Sequence, residues 1–236
     1  MTLRAILLDL GGPVLNEDAE YASWEAFLVA ALLAEGREVT ADGLRGAVQA
    51  EIAACNPNAH LAAVWRTLRP DLEAFRRVCD AFRRHGRTFL DDPQGVVVRP
   101  EARAVIPALA ARYTLGIAAN QPVSVLGRLE EAGLLQYFRW KDVSEGMRVA
   151  KPAPLFFQMI LDGLGVRAEE AVMVGDRLDF DVYPAKLLGM KTVRVLVGPY
   201  AGQQPISPLH VPDRTVPTLR ELLPALASLP ERQDGR

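Results

Sequence analysis

Cysteine is scarce. Only Cys55 and Cys79 occur in 236 residues, too few for a disulfide scaffold and in no metal-ligand spacing. That fits a soluble protein of a reducing compartment, and a cytoplasmic one is expected. Long apolar runs are absent as well. The longest, Phe27 to Ala34, falls far short of the ~20 residues that span a bilayer. The first apolar stretch carries Asp9 inside it, which does not read as a signal peptide. Neither charge sign dominates: 27 Lys and Arg face 29 Asp and Glu, a net charge of −2, so nucleic acid and anionic membranes exert no general pull. The histidines, His60, His85 and His210, are scattered and match no metal pattern. Of the 27 Lys and Arg residues only four, Lys141, Lys151, Lys186 and Lys191, are lysines.

The rest of the composition is that of a globular chain, with 50% hydrophobic and 24% charged residues, and intrinsic disorder is excluded. The length suits one large domain, or a core with one sizeable insertion. Arg4 to Asp9, Tyr113 to Ala119, Ala171 to Val174 and Lys191 to Val197 are short apolar runs of the kind that form buried parallel strands. Helical periodicity lies between them, over Glu101 to Arg112, Val123 to Ala132, Pro154 to Leu164, and Asp179 to Leu188 with Gly189 as its stop. Strands alternating with helices predict a parallel sheet covered on both faces, a Rossmann-like three-layer α/β/α core. Ligands of such sheets bind beyond the carboxyl ends of the strands.

Residues 16–96 break that rhythm. Ala19 to Ala34, Ala41 to Ala53, His60 to Leu68 and Pro70 to His85 read as helices, with no strand among them. The expected organisation is therefore a core of residues 1–15 and 97–236 with an α-helical cap domain, 16–96, inserted after the first strand. Its joints are expected near Leu15–Asp18 and Pro93–Pro100. Pro205 to Val216 reads as a loop before a last helix, Leu219 to Leu229.

Carboxylates end two of the strands. Asp9 closes the first and Asp176 follows Val172-Met173-Val174-Gly175, with Asp181 five residues on and Lys151 before Pro152. Each aspartate alone has an ordinary reading as a helix cap. Together, two or three carboxylates and an ammonium at one sheet edge suit a hard cation and a phosphate.

On these residues the chain resembles the haloacid dehalogenase (HAD) superfamily along essentially its full length. Asp9-Leu-Gly-Gly-Pro-Val-Leu15 is similar to the first motif, Leu115 to Pro122 to the second, Lys151-Pro152 to the third, and Val174 to Asp181 to the fourth. A helical insert directly after the first motif is where subfamily I carries its cap. The resemblance implies Mg²⁺ as cofactor, held by Asp9, the Gly11 carbonyl, Asp176 and Asp181. It implies Asp9 as nucleophile through an aspartyl-phosphate, Lys151 as charge partner, and Gly12, Ala119, Asn120 and Lys151 at the substrate. The implied partner is a small phosphorylated substrate, with neither nucleic acid nor membrane; nothing in the pattern specifies an oligomeric state.

Two positions depart from the family. Gly11 stands where phosphatases usually carry a second aspartate as general acid and base, a loss worth ~10²–10⁴-fold in rate if nothing replaces it. Ala119 stands where a phosphate-binding Ser or Thr is usual, with Asn120 beside it as a possible donor. Pro13, in place of the usual threonine, removes another. Glu17 and Asp18 read as solvated surface acids. Phosphonate hydrolases of the superfamily use a cap lysine for imine chemistry, and residues 16–96 contain none. The 2-haloacid dehalogenases lack the fourth-motif acids, so Asp176 and Asp181 speak against that reaction. The expected function is a Mg²⁺-dependent phosphohydrolase with weakened acid catalysis, favouring acyl or aryl phosphates. A non-catalytic or regulatory HAD-fold binding protein is the alternative.

Elsewhere the ordinary readings prevail. Arg76, Arg77, Arg83 and Arg84 mark the solvated side of an amphipathic helix whose Phe75, Val78 and Phe82 face inward. Trp24, Trp65 and Trp140 read as core residues and Cys79 as a small buried hydrophobe.

Overall fold

The computed structural model describes residues 2–89 and 96–229. The strands are β1 (Ala5–Leu8), β2 (Leu15–Asn16), β3 (Val97–Val98), β4 (Thr114–Ile117), β5 (Phe138–Trp140), β6 (Ala171–Gly175), β7 (Lys191–Val195) and β8 (Arg214–Val216). Six of them form one parallel sheet in the order β5-β4-β1-β6-β7-β8, and β2 pairs with β3 antiparallel. The helices are α1 (Asp18–Ala34), α2 (Ala41–Ala53), α3 (Ala59–Leu68), α4 (Leu72–Phe89), α5 (Ala102–Ala110), α6 (Val125–Glu131), α7 (Ser144–Met147), α8 (Pro154–Leu164), α9 (Tyr183–Leu187) and α10 (Leu222–Ala227).

Two compact units result: Met1–Asn16, Val97–Ala201 and Pro205–Arg236 form one, Glu17–Val96 with Gly202–Gln204 the other. The expected joint at Pro93–Pro100 falls partly, and the chain end at 230–236 wholly, outside the described residues.

In the α/β unit, strand alternation sends Ala5, Leu7, Ala171 and Met173 to one face. There they meet Phe156, Phe157, Ile160 and Leu164 of α8, whose apolar side is wholly buried. α5 and α10 pack together and against the sheet, through β4 and β7 respectively. β1 sits at the centre, with the chain winding to β4 on one side and to β6 on the other. The crevice beside β1 is therefore the place where such sheets receive ligands.

Several elements differ from the sequence reading, which had no strand at β5, the other edge of the sheet, nor at the short antiparallel pair β2 and β3. The segment read as a loop contains β8, which closes the sheet edge and is too short to show a period. The helix expected from Asp179 opens instead as a π-turn over Leu178–Val182, and regular α-helix starts only at Tyr183. Pro184, lacking an N–H, sits in the first turn of α9, where none is needed. The last helix begins as a 3₁₀ turn, Leu219–Glu221, with a capping box between Thr218 and Glu221.

The helical unit is built from α1 to α4, with Leu28, Leu32, Leu44, Ile52, Val64 and Leu68 fully buried. His60 and His85 are not scattered here. His85 stacks on Phe27 with ring centres 4.4 Å apart and bonds Ser23 Oγ, and His60 joins Tyr21, Trp24 and Phe82 in a ring cluster. Arg76, Arg77 and Arg83 pair with Glu73, Glu35 and Asp80 at the surface, as a solvated helix face does. Glu17, expected at the surface, is buried: its carbonyl closes the first turn by accepting the Tyr21 N–H, and its side chain turns inward while Asp18 stays exposed.

Burial pushes the Glu20 carboxyl up to about 7 from an ordinary 4.5. Between those values the folded state keeps a proton that the unfolded chain has lost, so this group's contribution to stability falls as pH rises through that window. Glu20→Gln is expected to be more stable than wild type at pH 8, by up to ~3 kcal/mol, with the gain shrinking toward pH 5. Urea unfolding at both pH values checks this; a gain independent of pH contradicts it.

Candidate active site

β1 delivers Asp9 to the carboxyl end of the sheet, where its N–H still bonds Val174 O across to β6 at 2.8 Å. One Asp9 oxygen turns back to accept the Leu10 N–H at 2.8 Å. The loop then passes through Gly12 at φ +81°, where a Cβ would lie 2.9 Å from Asp176 Oδ2. Glycine is thus required twice over at this position, by the left-handed backbone and by the carboxylate beside it. β6 ends at Gly175, and there too a Cβ would strike the Asp181 carboxylate, at 2.2 Å. The π-turn that follows buries Asp181 completely.

Asp9, Asp176 and Asp181 each offer an oxygen within 4.8 Å of the others. Lys151, itself buried, donates to Asp9 Oδ2 at 2.9 Å and to Asp181 Oδ1 at 2.7 Å. No hydrogen bond to the Asp176 carboxylate is found among the described residues. Three buried carboxylates against one ammonium leave excess negative charge in a poorly solvated place. Burial raises the Asp9 carboxyl to about 7; the Lys151 charge opposes the rise and the Asp181 charge adds to it. Asp176 is held well above the usual carboxylate range by burial, then by Asp181 and Asp9. For Lys151 burial works against the charge, yet the two carboxylates outweigh it and its pKa rises.

The remaining expected residues fall into place unevenly. Gly11 lies half-buried in the same loop and bridges to Leu15. Ala119 is fully buried beyond β4, and its carbonyl accepts the Ser144 N–H. Asn120, expected to face substrate, spends its carboxamide on Lys151: Nδ2 donates to the Lys151 carbonyl at 2.9 Å, and Oδ1 accepts the Lys151 N–H at 2.8 Å. A side-chain amide matches a peptide donor and acceptor together, so this pairing fixes the backbone from which the lysine reaches out.

Sequence reasoning passed over three arginines. Arg99 Nε donates to the Gly12 carbonyl, and its own N–H bonds Val14 O. Arg177 forks onto Asp179 and lies 3.7 Å over the Phe180 ring and 4.1 Å over that of Tyr200. Arg194, 5% exposed, donates to the backbone carbonyls of Asp176, Tyr200 and Ala201. Only the dipeptide Asp176-Arg177 offered a signal for any of them, since arginines that bond main-chain carbonyls leave no spacing to read.

The donor set is all oxygen and buried, with one lysine for counter-charge. It fits a hard divalent cation and offers no soft ligand to a thiophilic one. A doubly wound sheet with an acid-and-lysine cluster at its carboxyl edge defines an α/β protein with a buried charged cluster at its strand ends. The haloacid dehalogenase-like hydrolase family matches residues 3–189, and the chain belongs to it. It is 37% identical to the glyceraldehyde 3-phosphate phosphatase of Methanopyrus kandleri over 130 residues, 53% of this chain and 56% of that protein. It is 36% identical to the phosphoserine phosphatase of Thermus thermophilus over 155 residues, 66% of this chain and 59% of the other. The chain thus spans a little over half the length of these curated relatives. Among solved structures, the HAD phosphatase of Thermococcus onnurineus superposes with a TM-score of 0.61 at 24% identity, covering 95% of this chain and 98% of that one. At that identity the likeness establishes the fold. No described helix is long and apolar enough to cross a membrane.

Lys151→Met removes the only ammonium bonded to Asp9 and Asp181 among the described residues. The Asp9 carboxyl, whose pKa the Lys151 charge lowers, then holds its proton to higher pH, so stability falls more steeply as pH rises. The variant is expected to lose ~3–5 kcal/mol at pH 8 and less at pH 5. Thermal unfolding at the two pH values measures it, and equal losses at both refute the electrostatic account.

Proposed function

We propose that this protein is a Mg²⁺-dependent phosphohydrolase that works through an aspartyl-phosphate on Asp9. The observation that carries the reading is the buried cluster of Asp9, Asp176 and Asp181 with Lys151 bridging two of them. The phosphatase names of the two curated relatives support it. The cation would be held by Asp9, Asp176, Asp181 and the Gly11 carbonyl. When bound, Mg²⁺ supplies positive charge against the non-bridging phosphate oxygens.

Asp9 attacks phosphorus as its ionised carboxylate, and the leaving-group oxygen departs with the bond's electron pair. Lys151 holds Asp9 in place and offers its charge to the transferring group. Water then attacks the aspartyl-phosphate at phosphorus and releases inorganic phosphate and free Asp9. Gly12 and the backbone around Ala119 line the substrate side, and Asn120 acts by setting the Lys151 backbone. Gly11 has no side chain to protonate the leaving group, so substrates whose leaving oxygen is stable unprotonated, acyl and aryl phosphates, react fastest. Residues 16–96 serve as the cap domain that selects among small phosphorylated molecules.

With Mg²⁺ the wild-type protein is expected to hydrolyse an aryl phosphate and to stop when EDTA removes the metal; Asp9→Asn should show no turnover. Equal rates for the two proteins end the proposal. Gly11→Asp is expected to raise the rate on alkyl monoesters by ~10–100-fold, toward the usual range of general acid catalysis. A folded variant without that gain means that another group delivers the proton. Gly11 and Ala119 together favour a second reading, a binding protein that keeps the cation site without turnover. Mg²⁺ binding with no hydrolysis across a panel of aryl, acyl and sugar phosphates would establish it instead.

A further inference from the structure

We propose that Arg194 is a positioning residue for the cation site, acting on Asp176 and Asp181 together through the single peptide unit between Asp176 and Arg177. The inference rests on the reading of that cluster as a cation site. Arg194 lies on β7 opposite Gly175 of β6 in parallel register, so its side chain leaves the strand level with the end of β6. Its Nε donates to the Asp176 carbonyl at 3.2 Å. On the other edge of the same peptide, the Arg177 N–H donates to Asp181 Oδ2 at 2.9 Å. A peptide unit is planar, and its C=O and N–H point in opposite directions. Turning one therefore turns the other, and a clamp on the carbonyl fixes the donor that holds Asp181.

The clamp has its own anchor. Arg194 Nη2 bonds the Tyr200 carbonyl at 2.6 Å and the Ala201 carbonyl at 3.3 Å. The Tyr200 ring in turn lies against the Arg177 guanidinium. One rigid fork therefore joins the acidic loop to the segment that follows β7. An ammonium, a single point of charge, does not span both sets of carbonyls in that way. Gathering three main-chain carbonyls on one guanidinium restrains all of them. The loop is thereby fixed, and groups that orient metal ligands from behind typically govern ~10–100-fold in affinity.

Titration of the full-length protein with Mn²⁺, read by the loss of the free-ion EPR signal, tests this without recourse to turnover. Arg194→Met is expected to keep its far-UV circular dichroism and to bind Mn²⁺ ~10–100-fold more weakly than wild type. Arg194→Lys is expected to recover part of that loss. Lys186→Met, which breaks the Lys186–Asp213 ion pair at the far side of β7, should lower Tm and leave Mn²⁺ affinity unchanged. A folded Arg194→Met with affinity within twofold of wild type overturns the proposal. Should that variant fail to fold, Arg194→Lys decides alone, and wild-type affinity in it is the overturning result. A wild-type protein that takes up no Mn²⁺ overturns the cation-site reading and this inference with it, whereas wild-type binding with unaltered variants removes this inference only.

Discussion

Three aspartates share one buried place with a single lysine, and much of the local structure answers to that arrangement. Charge of one sign is not stable out of water unless something compensates it. Lys151 compensates two of the three, and the Asp176 carboxylate finds no hydrogen bond among the described residues. What remains of the imbalance appears as raised carboxyl pKa values at Asp9 and Asp176. A site in this condition favours the arrival of positive charge. The same physics explains why Gly12 and Gly175 carry no side chain: the carboxylates occupy the space that a Cβ would need.

Holding such a cluster together demands hydrogen bonds to the main chain. Asn120 pairs with both backbone groups of Lys151, Arg99 holds Gly12, and Arg194 holds Asp176. None of these side chains needs to touch a substrate. Asn120 and Arg194 each fix a peptide from which a charged group projects, and Arg99 fixes the glycine turn beside Asp176, which is how a loop acquires the precision of a strand. The departure at Asn120 is instructive. A residue that looks like a ligand donor in the motif is committed in the fold to a neighbouring backbone. Ala119, its neighbour, has no hydroxyl, and its carbonyl accepts the Ser144 N–H.

Gly11 lies in the same loop as the acidic cluster and brings no side chain to it. Charge neutralisation and nucleophile are present as residue types, and the usual proton donor is not. Phosphoryl transfer depends mostly on positioning and electrostatics, with proton delivery mattering in proportion to the basicity of the leaving group. Under the proposed chemistry, such a site would discriminate among leaving groups before any substrate contact.

The α/β rhythm was legible in the sequence because buried strands and amphipathic helices write different periods, and α8 and α2 run over the residues that the pattern marked. Asp9, Asp176, Asp181 and Lys151 were legible because their strand-end positions carry a resemblance in register. β8 and the π-turn were not: three residues hold no period, and a π-turn differs from an α-turn by one hydrogen bond that no residue type demands. Glu17, read as a surface acid, is buried. The sequence by itself determined the alternation of the central strands β1, β4, β6 and β7 with their helices and the kinds of charge available at the sheet edge. Only the tertiary structure decided which backbone groups Asn120, Arg99 and Arg194 would hold, because a main-chain carbonyl is the same at every residue and only folding brings a particular one within reach.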